Sequence, residues 1–234
     1  MKVLVMNGSP RKDRGVTAGL LTHFIDGMKD ATADVEILYS KGLDLGDCRG
    51  CFNCWSKTPG KCVQDDEMTG ILEKMADADI IVLATPVYVD GMTGFLKTLL
   101  DRSIPLLHGV FELRDDHCRH ALREHVKSGK IALFSVCGFY EMDNFDPLIT
   151  HVKAISKNMS REYVGEVLRP YGWIIEPGIK QGASLEFILE AIKQAGYQLI
   201  SDGKMKEETL STIASEIVPR DRVIELLKQS YGNK

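Results

Sequence analysis

Lys2-Val3-Leu4-Val5-Met6-Asn7-Gly8-Ser9-Pro10-Arg11 opens the chain as a short apolar strand that runs into a small polar loop. Behind the loop, Thr17–Lys29 carries Leu20, Leu21, Phe24, Ile25 and Met28 at helical spacing. Strand, loop and helix make one βα unit, and the unit recurs down the chain. Val35–Tyr39 reads as a second strand. Asp79–Ala84 (Asp-Ile-Ile-Val-Leu-Ala) reads as a third, with the weak alternation of a parallel strand covered on both faces. Lys130–Val136 is a fourth strand and Glu162–Leu168 a fifth. Helices are expected from an N-cap at Asp65 or Asp66 to about Met75, over Thr93–Leu106, and over Asn144–Lys157. This alternation points to an α/β fold, a doubly wound five-stranded parallel sheet in a three-layer α/β/α sandwich.

Two regions fall outside that minimum. Residues 107–129 are polar and hold four of the six histidines, which reads as an insertion or an extension of the preceding helix. Residues 170–234 carry further helical patterns, notably Leu185–Leu199 and Asp221–Tyr231, expected to pack on the domain or on another subunit. Repeats, low-complexity tracts and linkers are absent from the sequence. The expectation is therefore a single domain over residues 1–234, with a core to about 168 and a helical C-terminal extension from about 170.

Composition narrows the function classes. A chain of 234 residues can bury a sizeable core. With 29 Lys and Arg against 33 Asp and Glu, the formal net charge is −4, and no basic run marks a nucleic-acid partner. No apolar stretch reaches the roughly 18 residues that a membrane helix needs. The sequence starts directly on a strand rather than on a signal peptide, so a cytoplasmic address is expected. In that compartment thiols stay reduced, and clustered cysteines are ligands or redox groups more often than disulfides.

The first loop suits an anion. It follows a strand and opens a helix, so backbone N–H groups and the positive end of the helix dipole face one point. Ser9 and Thr17 add hydroxyls and Arg11 adds charge; an ordinary βα turn is the plain alternative. Neither the dinucleotide fingerprint nor the P-loop lysine motif is present, so a monophosphate such as that of FMN fits better. Ligands of doubly wound sheets lie beyond the carboxyl ends of the strands, where the strand order switches. Thr85–Gly91 follows the third strand there, and Ser135–Tyr140 the fourth. Tyr88 could stack on or edge a flavin ring, and Gly91 and Gly94 permit close backbone approach. A buried turn with a core tyrosine is the alternative. Cys137 fits a small buried residue better than a catalytic thiol.

Cys48, Cys51, Cys54 and Cys62 stand at C-x2-C-x2-C-x7-C spacing. Four thiolates so placed could wrap one 4Fe–4S cluster, hold a zinc ion, or persist without metal. Phe52 and Trp55 would shield such a site. His117, His120 and His125, with Cys118 among them, lack a standard zinc spacing and read as solvated surface.

Gly8-Ser9-Pro10-Arg11 with Thr17 resembles the phosphate loop of NAD(P)H-dependent FMN reductases in the flavodoxin-like superfamily. Thr85-Pro86-Val87-Tyr88-Val89-Asp90-Gly91-Met92-Thr93-Gly94, followed by Lys97, is similar to that family's ring loop. The cysteine segment, with Gly60-Lys61-Cys62 and Asp65-Asp66, resembles the iron–sulfur flavoproteins within it. The likeness covers roughly residues 1–140. It implies a flavodoxin-like fold and an FMN site built by Ser9, Pro10, Arg11, Thr17, Ala18, Pro86, Val87, Tyr88, Val89, Gly91, Cys137 and Gly138. It also favours an iron–sulfur cluster on Cys48, Cys51, Cys54 and Cys62. One departure stands at Val16, where relatives carry Asn; losing that side-chain donor puts more weight on backbone amides.

The function so implied is an FMN-dependent NAD(P)H oxidoreductase. It would pass electrons through flavin to a small-molecule acceptor or to the cluster, and it needs no catalytic side chain. The alternative is a non-enzymatic flavin/iron–sulfur electron carrier or redox sensor served by a ferredoxin-like donor. A zinc-stabilised binding module is a third reading. The resemblance further implies a homodimer or homotetramer.

Overall fold

The computed structural model describes residues 1–232; the last two residues of the expected C-terminal extension lie outside them. The chain runs β1 (Lys2–Asn7), α1 (Val16–Asp30), β2 (Asp34–Tyr39), α2 (Met68–Asp77), β3 (Ile80–Pro86) and α3 (Gly94–Asp101). It continues through β4 (Leu107–Arg114), β5 (His117–Leu122), β6 (Lys130–Val136), α4 (Asp146–Asn158) and β7 (Glu162–Arg169). Four helices close it: α5 (Ile175–Lys180), α6 (Glu186–Ser201), α7 (Glu207–Ala214) and α8 (Arg220–Tyr231). Five strands form one sheet in the order β2-β1-β3-β6-β7, every neighbouring pair parallel. The order reverses at β1, which lies between β2 and β3.

Side chains alternate across the sheet with the two-residue period of a strand. Leu4, Met6, Ile81, Leu83, Ile131 and Leu133 point to one face, where α2, α3 and α4 cover them. Val3, Val5, Val82, Ala132, Phe134 and Val167 point to the other, against α1 and α6. The segment expected as a C-terminal extension thus supplies half of one helical layer. Backbone contact makes the α1–α6 crossing possible. A Cβ on Gly27 would stand 1.8 Å from the Lys193 carbonyl oxygen, and one on Gly196 would stand 2.0 Å from that of Phe24.

Two sequence expectations change. The helix expected over Thr93–Leu106 stops at Asp101, and a single 3-10 turn follows at Ile104–Leu106 with Pro105 inside it. Proline cannot donate to a continuing helix and disfavours helical backbone at the residue before it. Residues 107–129 do not extend that helix. They form the antiparallel hairpin β4–β5, turned at Asp115 and Asp116, whose φ of 52° and 60° suit a two-residue primed turn. Among the described residues, no helix is long and apolar enough to cross a membrane.

Candidate functional site

Loops after β1, β3 and β6 meet at the carboxyl edge of the sheet, and the chain after β7 joins them. They enclose a cleft of about 500 Å³, a ligand-sized volume. Ser9, Arg11, Thr17, Pro86, Val87, Tyr88, Cys137 and Gly138 all line it. The first loop is held by its own bonds. The Gly8 N–H donates to the Ala84 carbonyl at 2.7 Å, and the Ser9 N–H donates to Asn7 Oδ1 at 2.8 Å. Asn7 is fully buried, and its Nδ2 has no partner among the described residues. Helix α1 starts behind Gly15, with no side-chain cap and no acidic residue in its first turn. Its leading N–H groups therefore stay open to an anion. A Cβ on Gly15 would meet Ser9 Oγ at 2.8 Å and Arg11 Cβ at 3.1 Å, so glycine there keeps the loop closed over the helix end.

The remaining expected ligands do not line this cleft with their side chains, although the Ala18 N–H is among the open ones at the start of α1. Ala18 is buried on the inner face of α1. Val89 is 99% exposed at the tip of a tight turn, in which Tyr88 and Gly91 pair through both backbone bonds. Pro10 lines a neighbouring cleft of about 560 Å³ with Lys41 and Phe95, and Tyr88 borders both spaces. Residues absent from the sequence reading complete the first cleft. Trp173 follows β7 and donates from Nε1 to the Gly138 carbonyl at 3.3 Å, while Leu227, Ser230 and Tyr231 of α8 close one side. Trp173 was findable, because it follows a core strand at the edge where ligands collect. The helical pattern of Asp221–Tyr231 marks α8 as a helix, but nothing local places it at the cleft. Burial pushes the Cys137 thiol above its ordinary range, and its S–H donates to the Phe139 carbonyl at 3.3 Å, which fits a neutral wall residue.

Cys48, Cys51, Cys54 and Cys62 converge on a second, smaller pit beside Phe52, Arg102, Ile104 and Pro105. Positive φ at Gly50 (60°) and Phe52 (51°) turns the backbone between them. The Gly60 N–H and Arg123 Nη2 both donate to the Cys54 carbonyl, each at 3.0 Å. Burial, then the neighbouring Cys62, raises the Cys54 thiol above its ordinary value. Among the described residues, no three His, Cys, Asp or Glu side chains are grouped to share a single ion. Phe52 stacks on Trp55 at 4.9 Å, and tilted ring contacts carry the row on from Trp55 to His120 at 4.5 Å and from His120 to Phe111 at 4.8 Å. The hairpin thus braces the cysteine loop, and His120, expected at the solvated surface, is part of that brace. His117 and Cys118 are exposed.

Asp66, expected as a helix cap, accepts from the Met68 N–H at 3.1 Å. It also takes both terminal nitrogens of Arg102, at 2.7 and 2.9 Å. The bond from Arg102 holds this carboxyl below its ordinary range.

The parallel order β2-β1-β3-β6-β7 with helices on both faces is the flavodoxin-like doubly wound fold. Residues 1–135 match the family described as NADPH-dependent FMN reductase, and the chain belongs to that family. An iron–sulfur flavoprotein of Archaeoglobus fulgidus is 38% identical over 115 residues, 49% of this chain and 55% of the relative. One from Methanocaldococcus jannaschii is 39% identical over 115 residues, 49% of this chain and 58% of the relative. The chain spans about half the length of the curated relatives it matches. Among solved structures, an FMN-dependent NADH-azoreductase from Bacillus anthracis in complex with FMN superposes with a TM-score of 0.63 at 17% identity. That match covers 86% of this chain and 99% of the other. An NAD(P)H:quinone oxidoreductase from Methanothermobacter marburgensis gives 0.62 at 14% identity, over 85% and 96% of the two chains. At these identities the solved structures establish the shared fold.

Proposed function

We propose that the chain is an FMN-dependent NAD(P)H oxidoreductase that passes electrons to a small acceptor or to an iron–sulfur cluster on its four cysteines. The observation that carries this reading is the convergence of Ser9, Arg11, Thr17, Pro86, Val87, Tyr88, Cys137 and Gly138 on one cleft of about 500 Å³. Bound FMN would supply the chemistry, accepting hydride from a nicotinamide and releasing electrons. The residues present fit it. The uncapped start of α1 and the Ser9 and Thr17 hydroxyls take a phosphate; Arg11 brings charge. Pro86, Val87 and Gly138 offer flat backbone for a ring, and Tyr88 edges it, half-exposed, where a nicotinamide needs access. Cys137 and Trp173 narrow the floor and exclude water.

The donor set of Cys48, Cys51, Cys54 and Cys62 fits a 4Fe–4S cluster, which takes one sulfur on each of four irons and supplies one-electron storage. That arrangement needs the four sulfurs around one pit rather than on one ion. The ring loop and the cysteine pit flank opposite ends of α3. Its eight residues span about 12 Å at 1.5 Å per residue. A homodimer or homotetramer and a cytoplasmic setting belong to the same proposal. Phe111 and Leu113, two residues apart on β4 and both exposed, favour association.

The test is an anaerobic absorption spectrum followed during addition of NADH or NADPH. Flavin bands over a broad brown shoulder, with the flavin bands bleaching within seconds, support the enzyme. Bleaching only by a ferredoxin-like donor supports the carrier. A protein that stays colourless after incubation with FMN contradicts both.

A further inference from the structure

We propose that Arg102 is a positioning residue for the four-cysteine site, clamping the cysteine loop at both stems and lending the site positive charge through Cys62. This rests on the reading of that site as an iron–sulfur centre. Arg102 is the residue just past α3, and its backbone N–H donates to the Thr98 and Leu100 carbonyls. Its side chain is almost entirely buried. A buried guanidinium is costly unless paired and hydrogen-bonded; Nε has no partner among the described residues, so the two terminal nitrogens carry the engagement. Here Nη1 donates to the Gly46 carbonyl and to Asp66 Oδ2, while Nη2 donates to Asp66 Oδ1 and, at 3.5 Å, to Cys62 Sγ. Gly46 precedes the first cysteine and Asp66 follows the last. One planar group therefore ties both ends of the cysteine loop to α3, and the fork geometry of arginine is what allows it.

A pair with Asp66 alone would account for a structural ion pair. The contact with Cys62 does more. Arg102 Nη2 aims a charged donor at the Cys62 sulfur itself. Hydrogen bonds to ligand sulfurs and local charge also set a cluster's potential. Adding an electron adds negative charge, so Arg102 favours the reduced state and Asp66 opposes it. The two residues should therefore act with opposite signs, whereas a merely structural clamp would give losses of the same kind for either change.

The experiment uses the full chain, purified anaerobically and reconstituted with iron and sulfide, as wild type, R102Q and D66N. Iron content, circular dichroism and a dithionite titration followed by electron paramagnetic resonance are recorded for each. Arg102→Gln should shift the cluster's redox equilibrium at least tenfold towards the oxidised form, about 59 mV for a one-electron couple. Asp66→Asn should shift it towards the reduced form, and the flavin titration should move in neither. Unchanged cluster potentials, or shifts of the same sign, overturn the proposal. If Arg102→Gln does not fold, the sign of the Asp66→Asn shift decides alone. A wild type that takes up no iron overturns the cluster reading itself, and this proposal with it.

Discussion

Gly15 shows how a single missing side chain can define the site. Its φ of −93° is open to any residue, so backbone strain is not the reason for glycine. Space is: a Cβ would press on Ser9 Oγ and Arg11 Cβ. Gly15→Val should open the phosphate loop and weaken FMN binding at least tenfold, read by flavin fluorescence, with the circular dichroism spectrum unchanged. Undiminished affinity would remove the loop from the site. Cys137 gives a second test. Burial, the largest influence, holds its thiol above the ordinary 9.0, so the reactive thiolate forms only at higher pH. Alkylation of Cys137 should be slow at neutral pH, rise with alkalinity, and slow further with FMN bound, as followed by mass spectrometry against exposed Cys118. Rapid labelling at neutral pH would contradict a buried, neutral wall. At this scale the sequence was legible where chemistry is local. Ser9, Thr17 and Tyr88 sit in contiguous motifs. Arg102 was not, because its partners Asp66, Cys62 and Gly46 lie 36, 40 and 56 positions away.

Elements were readable wherever one period dominates. The strands β1, β3 and β6 carry unbroken apolar runs, and α1 carries a clean stripe, so all four were expected within a few residues. Residues 107–129 misled because charge and histidine mask a hairpin. Its informative signals are Pro105, which stops the helix, and Asp115-Asp116, which tolerate left-handed backbone. The role of α6 was hidden for another reason. Its stripe was visible, but the partner was not, and only the facing glycines Gly27 and Gly196 specify the crossing. Gly196→Ala would set a methyl against the Phe24 carbonyl and push the helices apart. About 3 kcal/mol should be lost, at the upper end of overpacking costs. Urea unfolding should show this as a lower midpoint at an unchanged slope. A variant as stable as the parent would mean that α6 does not lie in contact with α1.

Seen whole, the molecule places the loop cleft and the cysteine pit at the two ends of α3 and lays α8 across the cleft. Helix α8 buries only Val223, against Tyr171 and Ile174, yet Leu227, Ser230 and Tyr231 wall the cleft. So few buried contacts make it a low-stability unit of the fold. Truncation after Pro219 should leave the unfolding midpoint nearly unchanged while FMN dissociates at least tenfold faster, measured by stopped-flow release. An unaltered release rate would mean that α8 plays no part in retention. The central claim is that the convergent loops form one FMN site. Its most direct measurement is a fluorescence titration of flavin-free protein with FMN under anaerobic conditions. One FMN bound per chain, with the bound flavin bleached by NADH or NADPH, is the expected result. No quenching and no retained flavin after gel filtration would contradict it.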